Sequence, residues 1–364
     1  MRINIASPGR FHVMDLAREL DRQGFDIRFY SFVPDRRVVK FGLRKQCNVS
    51  LFLWMAPLLL LTKYFPRMRS ITVRVQDWLT GILMRKCDVL IAMSGNYVFT
   101  LKQAKHNEAI VILERGSKHI LEQKRILEAI PSLKGKKPVP DINVKRELEG
   151  YGLADYISIA SQHVKRSFVE RNFSVDKLFV NPYGVDLHDF KPEKVTKEYD
   201  VVMVGSWNYQ KGVDLLVQAC RELKLSLLHV GAIGDISFPK DDKFIHVDPV
   251  DQKELKQYYN KGRIFVLASR QEGMAMVQMQ AIACGLPIVC SMHTGGRDIG
   301  VITDMKDWIF EMEEYTIKSL KIEIQKALNF TKKYNPAKLH LENLSWEAYG
   351  RRYGKFLQEI TKKN

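Results

Sequence analysis

Cysteine gives little to build on. The five present, Cys47, Cys87, Cys220, Cys284 and Cys290, are odd in number and include no CxxC pair. No disulfide framework and no thiolate metal site is expected, and their apolar surroundings predict reduced core thiols of a cytoplasmic protein. A bilayer-length apolar run is also missing. The longest, Leu51 to Leu61, is interrupted by Pro57 and falls well short of the roughly 20 residues a spanning helix needs. Met1-Arg2 runs directly into a strand pattern, Ile3 to Ala6, so no signal peptide is expected. There is no Asp-x-Asp pair and no zinc or calcium-loop spacing, which leaves metal-centred sites of those kinds without ligands. Zinc-finger spacing, an RNP motif and a basic-region heptad are absent too, against a nucleic-acid module. Internal repeats and low-complexity tracts do not occur.

What is present is size and positive charge. A chain of 364 residues exceeds what one core usually fills, so two domains are expected. The formal net charge is +16 and it is uneven: residues 1–190 carry 31 Lys+Arg against 19 Asp+Glu, the remainder 26 against 22. Such a surface attracts anionic lipid headgroups, acidic glycans or nucleic acid, and charge alone does not choose among them. Around the apolar run, Lys63, Arg67 and Arg69 stand beside Trp54, Tyr64 and Phe65. Two readings stay open for it: a helix lying on a lipid surface, or a core helix between two strands.

Hydropathy alternates between strand and helix periods along the chain. Ile3 to Ala6, the turn Ser7-Pro8-Gly9-Arg10 and a helix with Val13, Leu16, Ala17 and Leu20 on one face, ending at Gly24, make a βα unit. Phe25 to Phe32, Ser50 to Leu53, Val89 to Met93, Ala109 to Leu113 and Ile157 to Ala160 continue the strands, predicting a parallel sheet wrapped by helices. A second series begins at Val201 and runs through Ser226 to Val230, Phe244 to Val247, Ile264 to Ala268 and Pro287 to Cys290. The polar segment Asp186 to Glu198 separates the two series. Domains are therefore expected at 1–188 and 189–344, with a closing helix in 345–364. Ligands of open α/β sheets bind beyond the carboxyl ends of the strands, so two such domains face to face create a cleft. Lys134 to Val144, with two prolines, predicts a loop.

The most informative stretch is Arg270 to Pro287. It reads as a carboxylate-bearing glycine turn, Glu272-Gly273, between a buried strand and a helix that places Met276, Met279, Gln280 and Ala283 on one face. First-turn N–H groups have no intrahelical partner, and with the positive end of the dipole they suit a diphosphate. Glu272 sits where it can accept hydrogen bonds from sugar hydroxyls. The segment resembles the nucleotide-sugar signature of glycosyltransferase family 4: Glu272, seven residues, the second acid position occupied here by Gln280, then Ala281-Ile282-Ala283-Cys284-Gly285-Leu286-Pro287. Val201 to Val204 followed by Gly205-Ser206 and Lys211-Gly212 is similar to the family's strand, Gly-Arg turn and Lys-Gly helix start, with Ser206 in place of the Arg. Ala154 to Ser161 and Val180 to Pro192 resemble its last N-domain strand and interdomain turn, and Thr294-Gly295-Gly296 a second backbone contact to the donor, so matches run from Ala154 to Gly296.

The resemblance implies an α/β protein of GT-B fold, two Rossmann-like doubly wound domains facing a central cleft, with the closing helix crossing back onto the first. It implies a retaining transferase that moves a sugar from a UDP- or GDP-sugar to a lipid-linked or polysaccharide acceptor, in bacterial cell-envelope synthesis. Lys211 is then the point charge on the donor phosphates. Gly205, Ser206, Gly273, Met274, Val277, Thr294 and Gly295 surround the donor, Glu272 holds the transferred sugar and Gln280 the ribose. After the strand Ala109 to Leu113 the family often carries a His near the reacting carbon; Glu114, Arg115 and His119 are the candidates here. Arg115 suits bidentate binding of the diphosphate in place of the missing Arg. Gly9 and Arg10 either approach phosphate or acceptor or simply make the first turn. The nucleotide-sugar is a co-substrate, and no cofactor or metal is expected. Expected partners are that donor, a glycan or lipid-linked acceptor and the inner face of a plasma membrane, without nucleic acid. Two alternatives remain: a hydrolysing sugar-nucleotide epimerase of the same fold, and a non-catalytic basic glycan- or RNA-binding protein.

Overall fold

Two parallel sheets organise the molecule, described over residues 1–65, 68–334 and 339–362 of a computed structural model. In the first, β1 (Arg2–Ala6), β2 (Asp26–Ser31), β3 (Asn48–Ser50), β4 (Val89–Met93), β5 (Ile110–Arg115), β6 (Tyr156–Ile159) and β7 (Leu178–Val180) lie in the order 3-2-1-4-5-6-7. The second holds β8 (Tyr199–Val204), β9 (Leu227–Val230), β10 (Phe244–Val247), β11 (Gly262–Leu267), β12 (Ile288–Cys290) and β13 (Ile309–Glu311) in the order 10-9-8-11-12-13. Every pairing is parallel. Each order reverses beside its opening strand, between β1 and β4 and between β8 and β11. Loops diverge at those switch points and leave room for a ligand.

Helices α1 (His12–Arg22), α2 (Asp35–Lys40), α3 (Phe52–Tyr64), α4 (Arg69–Leu83), α5 (Val98–His106), α6 (Ile120–Glu128), α7 (Asp141–Leu153) and α8 (Gln162–Val169) accompany the first sheet. With the second go α9 (Val213–Glu222), α10 (Leu255–Asn260), α11 (Met276–Ala283), α12 (Gly296–Ile302) and α13 (Ile317–Phe330). Helices on both faces bury the strands, which is why Ile3, Ile5, Val89, Ile91, Val201 and Phe265 have no exposed surface. Burying each such side chain contributes about 1.5–3 kcal/mol.

The last helix, α14 (Trp346–Thr361), returns to the first domain and packs on α1. Tyr349, Tyr353 and Leu357 face inward and are fully buried. Gly350 lets the helices approach so closely that a Cβ there would lie 2.3 Å from the Glu19 Cβ. At the crossing, the Val185 N–H donates to the Leu344 carbonyl at 2.8 Å.

Several elements depart from the hydropathy pattern, each for a local reason. The strand expected over Ser50 to Leu53 ends at Ser50, and Phe52 already starts α3. That helix is no core element: Leu53 is 83% and Trp54 71% exposed, and only Met55 in it is buried. Pro57 is tolerated inside α3 because the hydrogen bond it removes is to a carbonyl on this exposed face. Arg67, expected to flank it, lies outside the described residues. Strands β7 and β13 are additional to the expected set. Asp141 to Val144, expected to be loop, forms the first turn of α7. Among the described residues, no helix is long and apolar enough to cross a membrane.

Candidate functional site

The second sheet delivers two turns to one place. After β8, Gly205 takes φ +130° and Ser206 is exposed. The Asn208 Oδ1 then accepts the Lys211 N–H at 2.9 Å, fixing the turn that starts α9. After β11, the Ser269 hydroxyl donates to the Glu272 Oε1 at 3.0 Å. Lys211 Nζ reaches that same oxygen at 2.5 Å, both side chains being largely but not wholly buried. Neighbouring contacts stiffen the pair. The Arg270 guanidinium grips both carboxylate oxygens of Asp214 on α9 at 2.7 Å, and Gln210 Nε2 donates to the Gln271 carbonyl at 3.1 Å.

The first domain closes on this turn through backbone. Gly273 lies against the loop after β5, where a Cβ would stand 2.0 Å from the Gly116 carbonyl oxygen. Gln271 Nε2 donates to Ser117 Oγ at 2.6 Å. From the end of β6, Ser161 Oγ donates to the Gly273 carbonyl at 2.8 Å, and His163 Nε2 lies 2.9 Å from the Glu272 carbonyl. Burial lowers the His163 pKa to about 4, so near neutrality the ring is uncharged and Nε2–H is the donor. Lys118 extends from the same loop to within 3.5 Å of His293 Nδ1 in the second domain. Burial holds the ammonium below its ordinary pKa and the imidazole at about 4. A Gly273→Ala variant is therefore expected to push the domains apart and lower donor turnover about 10- to 100-fold, since it displaces backbone at the reacting centre. A larger radius of gyration in small-angle scattering would accompany it; unchanged scattering and turnover would count against this contact.

Of the other residues expected on the donor side, Met274 and Thr294 are buried, and Val277 is half-buried on α11. Thr294 Oγ1 donates to the Ser291 carbonyl and accepts from Gln278 Nε2, both at 3.0 Å, while Gly295 turns at φ +79° into α12. Gly9 and Arg10 stand after β1, with Arg10 stacked 3.5 Å from the Phe41 ring. There Arg10 meets Asp251 and Lys253, beyond β10, across a cavity of about 450 Å³ between the two domains. Among the described residues, Asp186, His188 and Asp189 bring possible metal ligands within 4.8 Å of one another, in the exposed segment joining the sheets.

Four assignments need correction. Arg115 is spent on the protein itself: it pairs with Glu147 at 2.7 Å and donates to the Lys118 carbonyl and to Gln123 Oε1. It has no free edge for a diphosphate. Glu114 is 1% exposed and held between His12 Nε2 at 2.9 Å and the Tyr353 hydroxyl at 2.6 Å. His119 caps α6, its Nδ1 accepting the Leu121 N–H at 3.3 Å, between the rings of Tyr151 and Phe168. Gln280 is 4% exposed, its Oε1 taking the Tyr259 hydroxyl at 3.0 Å inside the core, so it is not presented to a ribose. Conversely, the structure adds Asn208, Ser269, Lys118 and His163, which the sequence does not single out. A Ser-x-His at the end of β6, whose strand faces the cleft, is the one available signal.

Two open α/β sheets with their strand ends turned on a shared cleft define the GT-B fold. The chain superposes along its whole length on solved structures of that architecture. A glycosyltransferase from Rickettsia africae matches with TM-score 0.66 and 17% identity, over 100% of this chain and 99% of that one. Sucrose-phosphate synthase from Thermosynechococcus elongatus matches with TM-score 0.65 and 15% identity, over 100% of both. Anabaena HepE in complex with UDP and glucose matches with TM-score 0.65 and 13% identity, over 98% and 99%. The second domain is more specifically placed: residues 198–328 match the family model "Glycosyl transferases group 1", and they form a domain of that kind. A phosphatidylinositol N-acetylglucosaminyltransferase subunit of Arabidopsis thaliana is 25% identical over 243 residues, 61% of this chain and 53% of that protein. A putative colanic acid biosynthesis glycosyltransferase, WcaL, of Escherichia coli K12 is 24% identical over 156 residues, 37% and 38%. The chain thus spans about half or less of the length of these curated relatives.

Proposed function

We propose that this chain is a retaining glycosyltransferase that moves a sugar from a UDP- or GDP-sugar to a lipid-linked or polysaccharide acceptor, without a metal, at the inner face of a plasma membrane in envelope glycan synthesis. Residues 189–344 take the donor; residues 1–188 with the closing helix 345–364 take the acceptor. The observation that carries the reading is the Lys211–Glu272 pair, set at adjoining strand ends beside the first turn of α11. An incoming diphosphate draws the Lys211 ammonium away and frees Glu272 for the sugar hydroxyls, while Ser269 keeps the carboxylate oriented. Gly273, Met274, Val277, Thr294 and Gly295 shape the surrounding wall, and Gly205 and Ser206 leave the approach to the phosphates open. Cationic and N–H groups fixed in advance stabilise the charge that develops as the glycosidic bond breaks. The relatives named for glycan and lipid-sugar synthesis and the fold neighbour solved with UDP support the choice of donor class.

A panel of UDP- and GDP-sugars tests this. One donor should raise the melting temperature, by the equivalent of about 2.7 kcal/mol at a hundredfold excess over Kd, and should release its nucleotide when acceptor is supplied. A shift with no donor, but with acidic glycan or RNA, would make the chain a binding protein. Sugar epimerised and released without any acceptor would make it a hydrolysing epimerase.

A further inference from the structure

A cavity of about 1150 Å³ in the first domain opens between the carboxyl ends of the central strands and the α3–α4 pair. Pro8, Gly95 and Arg115 form its strand-end wall; Leu59, Lys63 and Val73 line the helical side. Its charge is one-sided. Among the described residues, six Lys and Arg side chains line it against the single carboxylate of Glu147. On the floor, Arg115 is held by Glu147 and Arg146 by Asp77 at 3.0 Å. At the helical rim, Lys63, Arg69 and Arg74 join none of the ion pairs found among the described residues, and all three are exposed.

The outside of the same helices is apolar. Leu53, Trp54, Leu60 and Tyr64 of α3 are 83%, 71%, 58% and 68% exposed; Trp78 and Ile82 of α4 are 53% and 54% exposed. Large apolar side chains exposed together on one helix pair mark an interaction surface. Aromatic and aliphatic side chains next to a rim of unpaired cations match one partner in both chemistry and charge, the headgroup boundary of an anionic bilayer.

We infer that α3 and α4 lie in a membrane surface and that the cavity behind them receives the phosphate-bearing headgroup of a lipid acceptor drawn from it. The rim cations hold the phosphate, and the apolar tail leaves past Leu59 and Val73 into the lipid. In the transfer, an acceptor hydroxyl oxygen forms the bond to the anomeric carbon as the bond from that carbon to the diphosphate breaks. The electron pair leaves with the nucleoside diphosphate, which also takes the hydroxyl proton. This chemistry rests on the glycosyltransferase reading; the membrane surface and the cavity do not.

Sedimentation with phosphatidylcholine vesicles, with and without phosphatidylglycerol, tests the surface on the full chain. Binding is expected only with the anionic lipid, falling with salt, and falling about tenfold in Trp54→Ser/Trp78→Ser. Both tryptophans are exposed, so an unchanged melting temperature checks the fold. Dodecyl phosphate should stabilise the wild type but not Arg69→Ala/Arg74→Ala, and inorganic phosphate at equal concentration should stabilise neither. Failure to bind vesicles, equal protection by inorganic phosphate, or equal transfer to a soluble glycan without lipid would overturn the inference. Donor heat in calorimetry separates the two readings. If it persists in those cases, the glycosyltransferase reading stands; if it is absent while vesicles still bind, the lipid surface stands and the transferase reading falls.

Discussion

Donor turnover should fall by about two to three orders of magnitude in Lys211→Met and be abolished in Glu272→Ala, with the fold retained in both. That size follows from what removing one preorganised charge costs a reaction that develops charge, roughly 3–4 kcal/mol of transition-state stabilisation. Lys211 Nζ and Glu272 Oε1 lie 2.5 Å apart, 19% and 14% exposed, close enough to water that a lone partner is resolvated at modest cost. The fold does not need the pair: Asn208 still caps the Lys211 turn, and Arg270 still anchors the Glu272 turn on Asp214. A structural ion pair would give the opposite pattern, lost stability with unchanged kcat/KM. Glu272→Gln separates the roles further. It keeps an oxygen for Ser269 and for a sugar hydroxyl but loses the charge that attracts Lys211, so it should retain more activity than Glu272→Ala. Equal turnover in wild type and Glu272→Ala would remove the central assignment.

The pair is legible in the sequence because each residue stands just past a buried strand and just before a helix, and the hydropathy pattern marks both. A strand buried on both faces is read well: Val89 to Met93 has the expected bounds in the structure. Edge strands are read unevenly: Phe244 to Val247, at one end of the second sheet, has the expected bounds, but two others are missed. β7 and β13 are three residues each at the ends of their sheets, too short for any alternation. The run from Leu51 to Leu61 has the wrong environment for its composition, being apolar and exposed, so a rule that puts apolar residues inside cannot place it.

Side-chain partners are the illegible part of the site. Glu114, Arg115 and His119 follow a strand that ends at the cleft, and position alone makes them candidates. Their commitments come from residues far along the chain: Tyr353 on α14 takes Glu114, Glu147 on α7 takes Arg115, and Phe168 on α8 packs on His119. Gln280 behaves the same way. Its spacing from Glu272 fits the family signature, and the Tyr259 hydroxyl that engages it comes from α10. The contacts of Ser161 and His163 with Gly273 and Glu272 span more than a hundred residues, beyond any local pattern.

Acidification should destabilise the protein steeply, because three of its histidines are buried in the uncharged form. His119, His163 and His229 are 5%, 7% and 0% exposed, and burial lowers each pKa from 6.5 to about 4. His119 Nδ1 accepts the Leu121 N–H. His229 donates from Nε2 to the Gly205 carbonyl at 2.8 Å, which leaves its Nδ1 to accept from His246 Nδ1 at 2.9 Å. A proton on either acceptor nitrogen removes its bond. A depressed folded pKa means the unfolded chain binds the proton first. The stabilisation is therefore complete above about 6.5 and is lost as pH falls from there toward about 4, at roughly 1.4 kcal/mol per pH unit for each proton. Asp15, Asp298 and Glu311 work the other way: burial raises their pKa values, so the folded state takes up protons in the lower part of the window and offsets part of the loss. Denaturant unfolding should lose on the order of 2–4 kcal/mol between about pH 7 and about pH 5, where the histidines dominate. His119→Asn keeps a cap acceptor that does not titrate, so it should flatten that slope by about one proton. A midpoint that stays level across the window, or a slope untouched in that variant, would mean these imidazoles are not held neutral by the fold.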